Sequence, residues 1–288
     1  MVECLVELIR RTSTDLSEDV VDAIVAARRK ESYGSMARSL LEQLLRNVEL
    51  AREKSVPICQ DTGTPIFYVD YPAGTRTGAM RASILSAVRQ ATRKYYLRPN
   101  SVDPLTGTNT GDNVGRGHPA IHFHEWGRKS TRFRLMLKGG GSENVGAQYS
   151  LPNAALSAGR DLEGVERCVI DAVFKAQGEG CAPGIIGVGI GGDRGSSYML
   201  SKEQFFRRLD DRNPNPVLRK MEDRLLHKLN MLGIGPMGLG GNTTVLGVKA
   251  GVANRVPASY FVSISYMCWA FRRRSLLLSG GKAIYDPD

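Results

Sequence analysis

The chain has 288 residues, of which 42% are hydrophobic and 24% charged, with a formal net charge of +10. That is enough apolar material for one large or two ordinary domains, and it excludes global disorder. No apolar run reaches eighteen residues, which excludes a transmembrane helix. Five scattered cysteines exclude a disulfide framework and leave thiols for a metal or for catalysis.

The N-terminus, MVECLVELIRRTSTDLSEDV, has Glu3 and Glu7 inside its apolar stretch and its arginines after it. It reads as an amphipathic helix and not as a secretory signal, so the expected location is the cytoplasm. SEDVVDAIVAARRKES follows, with Ser17 or Asp19 as its cap. In SMARSLLEQLLRNVELAREK, Met36, Leu40, Leu41, Leu44, Leu45 and Val48 form one stripe. The region of about 1–55 is therefore expected to be helical. PIFYVD at 65–70 predicts a strand, and MRASILSAVRQATRKYY a helix. LRPNSVDPLTGTNTGDNVGRGHP is long for a structureless connection, and its Asx and turn residues predict an ordered, functional loop.

Two strands are expected next, AIHFHEW and RFRLMLK, with a turn at GRKS. LEGVERCVIDAVFKAQG is a helix, GIIGVGI a buried strand, and SSYMLSKEQFFRRLD and NPVLRKMEDRLLHKLNML are helices. The last third alternates glycine-rich loops with the β-branched runs NTTVLGVKAGVA and SYFVSISYMCWA. There is no internal repeat and no composition shift that marks a linker. The mixture reads as α+β, and residues 1–288 as a single domain.

The positive charge raises nucleic acid as a partner, but no recognition motif accompanies it. The densest clusters, Arg28-Arg29-Lys30, Arg207-Arg208 and Arg272-Arg273-Arg274, read first as solvated helix faces. An acidic small substrate or an acidic partner subunit comes next, and nucleic acid last. GVGIGG matches G-x-G-x-x-G through Gly187, Gly189 and Gly192, with Asp210 or Asp211 about twenty residues on. A dinucleotide site must be weighed against a strand that simply packs close to another backbone. KGGGSEN and GIGPMGLGGNTTV could converge N–H groups on an anion, or could be tight turns. His122, His124 and Glu125 could begin a metal site, or be ordinary sheet residues.

Cys4 and Cys168 sit in amphipathic helices and read as bystander thiols. Cys59 in PICQDTG, Cys181 in EGCAPG and Cys268 in YMCWAFRRR each lie beside a turn or a polar cluster. They are 122 and 87 residues apart, so only the fold can bring them together.

The ordered set CQDTG, NTGDN, KGGGSEN, GCAPGIIGVGIGGD, GIGPMGLGGNTTVLGVK and YMCWAFRR resembles the α subunit of two-subunit, iron–sulfur-dependent (class I) fumarate hydratases. L-tartrate dehydratase α subunits belong to the same family. The likeness runs from the N-terminal helices to AFRRRSLLL, nearly the whole chain. It implies a hydro-lyase that interconverts fumarate and malate, a tricarboxylic acid cycle reaction, with a 4Fe–4S cluster on Cys59, Cys181 and Cys268. It implies Asp61 as the acid/base, though Asp61 also reads as a turn carboxylate. Gln60 and Arg98 are implied to face the substrate, Arg98 toward a carboxylate, and Gly139, Gly140 and Gly141 to contact a carboxylate. Single-chain members carry a further C-terminal domain, so the resemblance implies a separate β subunit and an assembly of two α and two β chains. Ser142 stands where tartrate dehydratases tend to carry cysteine, which makes fumarate the expected substrate and tartrate the alternative. Neither a membrane nor a nucleic acid is an expected partner.

Overall fold

In the computed structural model, which describes residues 1–287, the helices are α1 (Val2–Thr14), α2 (Glu18–Lys30), α3 (Met36–Lys54), α4 (Thr77–Arg93), α5 (Gly140–Asn144), α6 (Leu162–Ala176), α7 (Arg194–Glu203) and α8 (Pro216–Asn230). The strands are β1 (Thr64–Pro72), β2 (Ala120–Trp126), β3 (Thr131–Lys138), β4 (Ala147–Ser150), β5 (Gly184–Gly191), β6 (Val245–Ala253), β7 (Phe261–Met267), β8 (Arg273–Ser279) and β9 (Lys282–Tyr285). Helices and strands mix in two sheets behind a helical N-terminus, so the α+β expectation holds. Among the described residues, no helix is long and apolar enough to cross a membrane. Contacts divide the chain into two units. One comprises Met1–Ser17, Arg46–Gly140 and the segment from Arg272 onward; the other comprises Glu18–Leu45 and Gly141–Phe271.

The first unit is built on a five-stranded sheet in the order β2-β1-β3-β8-β9. Strand alternation sends Phe67 and Val69 of β1, Phe133, Leu135 and Leu137 of β3, and Leu276 of β8 to one face. There they meet Leu5, Leu8 and Ile9 of α1 and Ile84 and Val88 of α4, all fully buried. The spacing of Leu5, Leu8 and Ile9 is the i, i+3, i+4 stripe that a one-sided helix needs. On β1, Asp70 is buried, and its carboxylate accepts hydrogen bonds from Arg132 at 2.9 Å and Arg134 at 3.4 Å. The turn at GRKS joins strands that are not neighbours. β2 runs parallel to β1, β3 runs antiparallel to it, and β1 lies between them.

Here the basic cluster at 272–274 departs from expectation. It is not a solvated helix face but the entry to β8, which pairs with β3. Arg274 bonds Asp15 at 3.1 Å and Asp286 at 3.0 Å, and Arg273 bonds Ser17 at 2.9 Å. Three charges in a row hide the strand's alternation from a reading along the chain. Arg273 and Arg274 also find partners, Ser17 and Asp15, more than 250 positions away.

The second unit is built on the sheet β4-β7-β5-β6. In GIIGVGIG the alternation separates two faces. Ile186, Val188 and Ile190 join the core with Val165, Val169 and Val173 of α6 and Leu218, Met221 and Leu225 of α8. Gly187 and Gly189 face α7, where a Cβ would run into the backbone carbonyls of Ser201 and Ser197. Asp193 fixes the start of α7 by accepting from the N–H groups of Gly195 at 2.7 Å and Ser196 at 3.1 Å. The glycines of GVGIGG therefore let a helix lie close on a sheet. The acidic residues a dinucleotide would need are also engaged. Asp211 pairs with Arg207 and Lys249, and Asp210 with Arg208. Gly189→Ala is expected to destabilise the protein by about 3 kcal/mol, because the added methyl meets rigid backbone. Urea unfolding checks this, and a shift below about 1 kcal/mol would contradict the close packing.

Candidate active site and cysteine loops

In the first unit, antiparallel pairing places the start of β1, the end of β3 and the start of β8 at one end of the sheet. The lead into β1 is Cys59-Gln60-Asp61-Thr62-Gly63, the exit from β3 is Lys138-Gly139-Gly140, and the lead into β8 is Arg272. Asp61 joins the first two segments. Its Oδ1 accepts from the Gly63 N–H at 2.9 Å and its Oδ2 from the Gly140 N–H at 2.8 Å. The glycines are dictated by this closeness. Gly63 has φ +75°, and a Cβ there would stand 2.6 Å from the Lys138 carbonyl carbon. A Cβ at Gly139 would stand 2.9 Å from Asp61 Oδ2. Asp61 thus does act as a turn carboxylate, while each of its oxygens keeps a second lone pair for a proton.

Arg98 is carried on the long loop, which is ordered by side-chain to backbone bonds. Thr62 Oγ1 accepts from the Arg98 N–H at 3.1 Å and from Asn100 Nδ2 at 3.0 Å. Asn113, only 1% exposed, accepts from the Asn100 N–H at 2.7 Å and donates to the Arg98 carbonyl at 2.5 Å. The Arg98 guanidinium bonds the Gln60 carbonyl at 3.4 Å, and both side chains are otherwise exposed. Gln60, Asp61, Arg98, Gly139 and Gly140 are therefore one neighbourhood. Thr62 and Asn113, which hold it together, were not singled out from the sequence, although CQDTG and NTGDN contain them. Gly141 belongs to the second unit, where a Cβ built on it would stand 3.6 Å from the Glu179 carbonyl oxygen.

In the second unit, Cys181 and Cys268 come from adjoining segments. The Trp269 N–H donates to the Cys181 carbonyl at 3.2 Å, and the Met237 N–H of the GIGPMGLGG loop donates to the Ala182 carbonyl at 2.9 Å. Cys181 is exposed and has φ +57°, a left-handed conformation that is uncommon outside glycine and asparagine. Tyr266, two residues before Cys268, explains the glycines on either side of Cys181. A Cβ at Gly180 would stand 2.5 Å from Tyr266 Cε1, and one at Gly184 would overlap the ring. The Tyr266 hydroxyl is buried and, among the described residues, has no hydrogen-bond partner. Burial first, then the nearby Cys268 and Cys181 sulfurs, hold its proton well above the ordinary phenol range.

The five cysteines, all thiols, separate by environment. Cys168 is 0% exposed in α6, and burial, followed by Asp171, pushes its thiol up to about 11. Cys4 lies within α1, where its carbonyl accepts from Tyr285. Cys59, Cys181 and Cys268 lie on loops or just past a strand end. Cys59 is in the first unit and the other two are in the second.

The remaining candidates have structural roles. His122 stacks on Tyr68 with ring centroids 4.7 Å apart, and His124 Nδ1 lies 3.3 Å from Asp70. Among the described residues, no three His, Cys, Asp or Glu side chains gather around one ion position. In GIGPMGLGGNTTV, the Asn242 N–H donates to both oxygens of Glu31 at 2.9 Å, so the anion it meets is the protein's own.

Comparison with known proteins adds to this geometry. The family model described as fumarate hydratase (Fumerase) matches residues 2–276. A protein of Geobacillus stearothermophilus provisionally named fumarate hydratase class I is 49% identical, over 95% of this chain and 54% of its own length. A protein of Methanocaldococcus jannaschii provisionally named L(+)-tartrate dehydratase subunit alpha is 35% identical, over 94% of this chain and 95% of its own. The L(+)-tartrate dehydratase subunit alpha of Escherichia coli K12 is 32% identical, over 96% of this chain and 90% of its own. The chain thus spans about half the length of the first of these relatives and most of the other two.

Proposed function

The chain belongs to the fumarate hydratase (Fumerase) family, and from that premise we propose that it is the α subunit of a two-subunit hydro-lyase that interconverts fumarate and (S)-malate. The observation that carries this reading is the corner at the end of β1, β3 and β8. There a carboxylate, Asp61, accepts from the Gly140 N–H of the glycine run, and a cation, Arg98, bonds the Gln60 carbonyl next to it. Fumarate is preferred to tartrate because the relative named for fumarate hydratase is 49% identical, while the two named for tartrate dehydratase are 35% and 32% identical. Ser142, in place of the cysteine expected of tartrate dehydratases, points the same way.

The group the family implies is a 4Fe–4S cluster, and the donors present suit it. Cys59, Cys181 and Cys268 are thiols on loops or strand ends; Cys181 is exposed, Cys59 half-buried, and Cys268 buried but outside the α6 cluster that keeps Cys168 protonated. Cluster ligands sit on different irons, so they need not converge on a single ion position. With three thiolate ligands, such a cluster has one iron open to act as a Lewis acid toward the substrate hydroxyl.

The protein's own residues do the rest. Malate must lose a proton from the carbon beside one carboxylate, and negative charge grows on that carboxylate as it leaves. Asp61 takes this proton, or returns it in the hydration direction, through an oxygen lone pair not used by Gly63 or Gly140. Arg98 binds a substrate carboxylate, held at the mouth of the site by Thr62 and Asn113. Gln60 faces the substrate next to its ligand cysteine. Gly139 and Gly141 line the carboxylate contact, and Gly140 contributes through its bond to Asp61.

A separate β subunit completes the proposed site. Two relatives named as subunits alpha support the same reading. The assembly proposed is two α and two β chains, in the cytoplasm, serving the tricarboxylic acid cycle. Anaerobic co-expression with the candidate β chain tests the reading. Fumarate hydration is expected from the pair, and little turnover from this chain alone. Turnover of tartrate without fumarate would reassign the substrate, and turnover of neither by an iron-loaded pair would discard the reading.

A further inference from the structure

Arg272 is the largest of the fully buried side chains, at 1% exposure. Its Nε and Nη1 are sealed from solvent and, among the described residues, have no hydrogen-bond partner. Its neighbours in the chain differ sharply. Arg273 bonds Ser17, and Arg274 bonds Asp15 and Asp286. A guanidinium cannot lose its charge to escape burial, and leaving a buried cation uncompensated is among the costlier things a fold can do. Such a charge is retained where an anion is to be met.

Its position says where that anion stands. Arg272 enters β8, and its carbonyl accepts from the Leu137 N–H at 3.0 Å, so it sits beside the exit of β3. A Cβ built on Gly139 would stand 3.8 Å from Arg272 Nη2 and 2.9 Å from Asp61 Oδ2. The two side chains therefore flank the same point, from which glycine has withdrawn every side-chain atom. Asp61 already receives two backbone N–H bonds and makes no ion pair with Arg272. Among the described residues, no carboxylate pairs with the cation at this corner.

We infer that Arg272 is a second carboxylate-binding residue of the site: its Nη2 edge, at the Asp61–Gly139 corner, binds one carboxylate of a four-carbon dicarboxylate. This rests on the hydro-lyase reading above. Together with Arg98, whose guanidinium bonds the Gln60 carbonyl at 3.4 Å, this chain then brings two cations to a substrate with two carboxylates. Arg272, flanking the same point as Asp61, fixes the reacting carbon beside it. A neutral or monoanionic analogue would leave one cation unmatched, which selects for dianions.

The test uses the full chain assembled with its β partner and loaded anaerobically, comparing wild type with Arg272→Lys and Arg272→Gln. Fumarate and malate kinetics are measured beside iron and sulfide content. For Arg272→Lys, which keeps charge and most of the volume, KM for malate is expected to rise about tenfold or more with iron content unchanged. Arg272→Gln is expected to raise it further. If Arg272→Gln does not fold, the lysine variant decides alone. A malate KM within twofold of wild type in Arg272→Lys would overturn the inference. So would loss of iron with an unchanged KM in the active remainder, since Arg272 would then balance the cluster's charge and not the substrate's. The parent reading fails separately, if the iron-loaded wild-type assembly turns over no dicarboxylate.

Discussion

Serine at position 59, 181 or 268 is expected to abolish the iron–sulfur absorbance of the anaerobically reconstituted chain and, in the assembly with the β chain, to lower fumarate hydration by at least ~100-fold. The reason is chemical. A thiolate is a soft, easily formed anion, whereas a serine hydroxyl stays protonated and binds iron weakly. The structure supplies the right control. Cys168→Ser would place a hydroxyl in the α6 core at a site of 0% exposure and cost about 1–3 kcal/mol of stability. A loss of activity there could reflect unfolding. Cys168→Ala is the better bystander, and it should leave iron content and turnover intact. Iron and sulfide analysis on the five single variants decides the matter. If Cys4 or Cys168 proved necessary for iron, or Cys181 unnecessary, the ligand set would be wrong.

Asp61→Asn is expected to lower kcat by about 10²–10⁴-fold, the range for loss of a positioned acid/base. The substitution is close to isosteric but has a second effect. The carboxylate accepts from Gly63 on one oxygen and from Gly140 on the other. An amide has one acceptor oxygen, so one of those N–H groups must face an NH₂ donor. The loss of a charge-assisted bond there is worth about 1.5–3 kcal/mol, and it would loosen the Gly139–Gly140 segment. Chemistry and scaffolding can be separated by measuring iron content, thermal stability and kcat together. A collapse in kcat with iron retained supports the acid/base role. A kcat within about tenfold of wild type, with stability lowered, would leave Asp61 as a turn carboxylate only.

Much of this site was legible along the chain because its parts are short contiguous runs. CQDTG, LRPN and KGGG each hold their candidate residues within a few positions, and CQDTG and KGGGSEN are among the ordered runs that carried the family resemblance. Other parts were hidden for an identifiable reason. Thr62 and Asn113 are ordinary loop residues until the fold puts Arg98 and Asn100 against them. Arg272 looked like one of three equivalent arginines. Only the tertiary structure shows two of them bonded and the third with its Nε and Nη1 sealed and, among the described residues, unpartnered. GVGIGG left a dinucleotide site and close backbone packing both open until α7 was seen on its glycine face.

The sequence by itself determined the helices α1 to α4 and α6 to α8 and the strands β1 to β3 and β5 to β7. Their apolar periodicities are local properties of ten or so residues. It also determined which three cysteines differ from the other two, since turns and polar neighbours are local as well. The tertiary structure decided the strand partners, the short strands β4, β8 and β9, and the state of each charge. Strand pairing and charge compensation depend on residues far away in the chain, such as Asp15 for Arg274 and Gly140 for Asp61. No window along the sequence contains both partners, so only folding could reveal whether a given charge is satisfied or held in reserve.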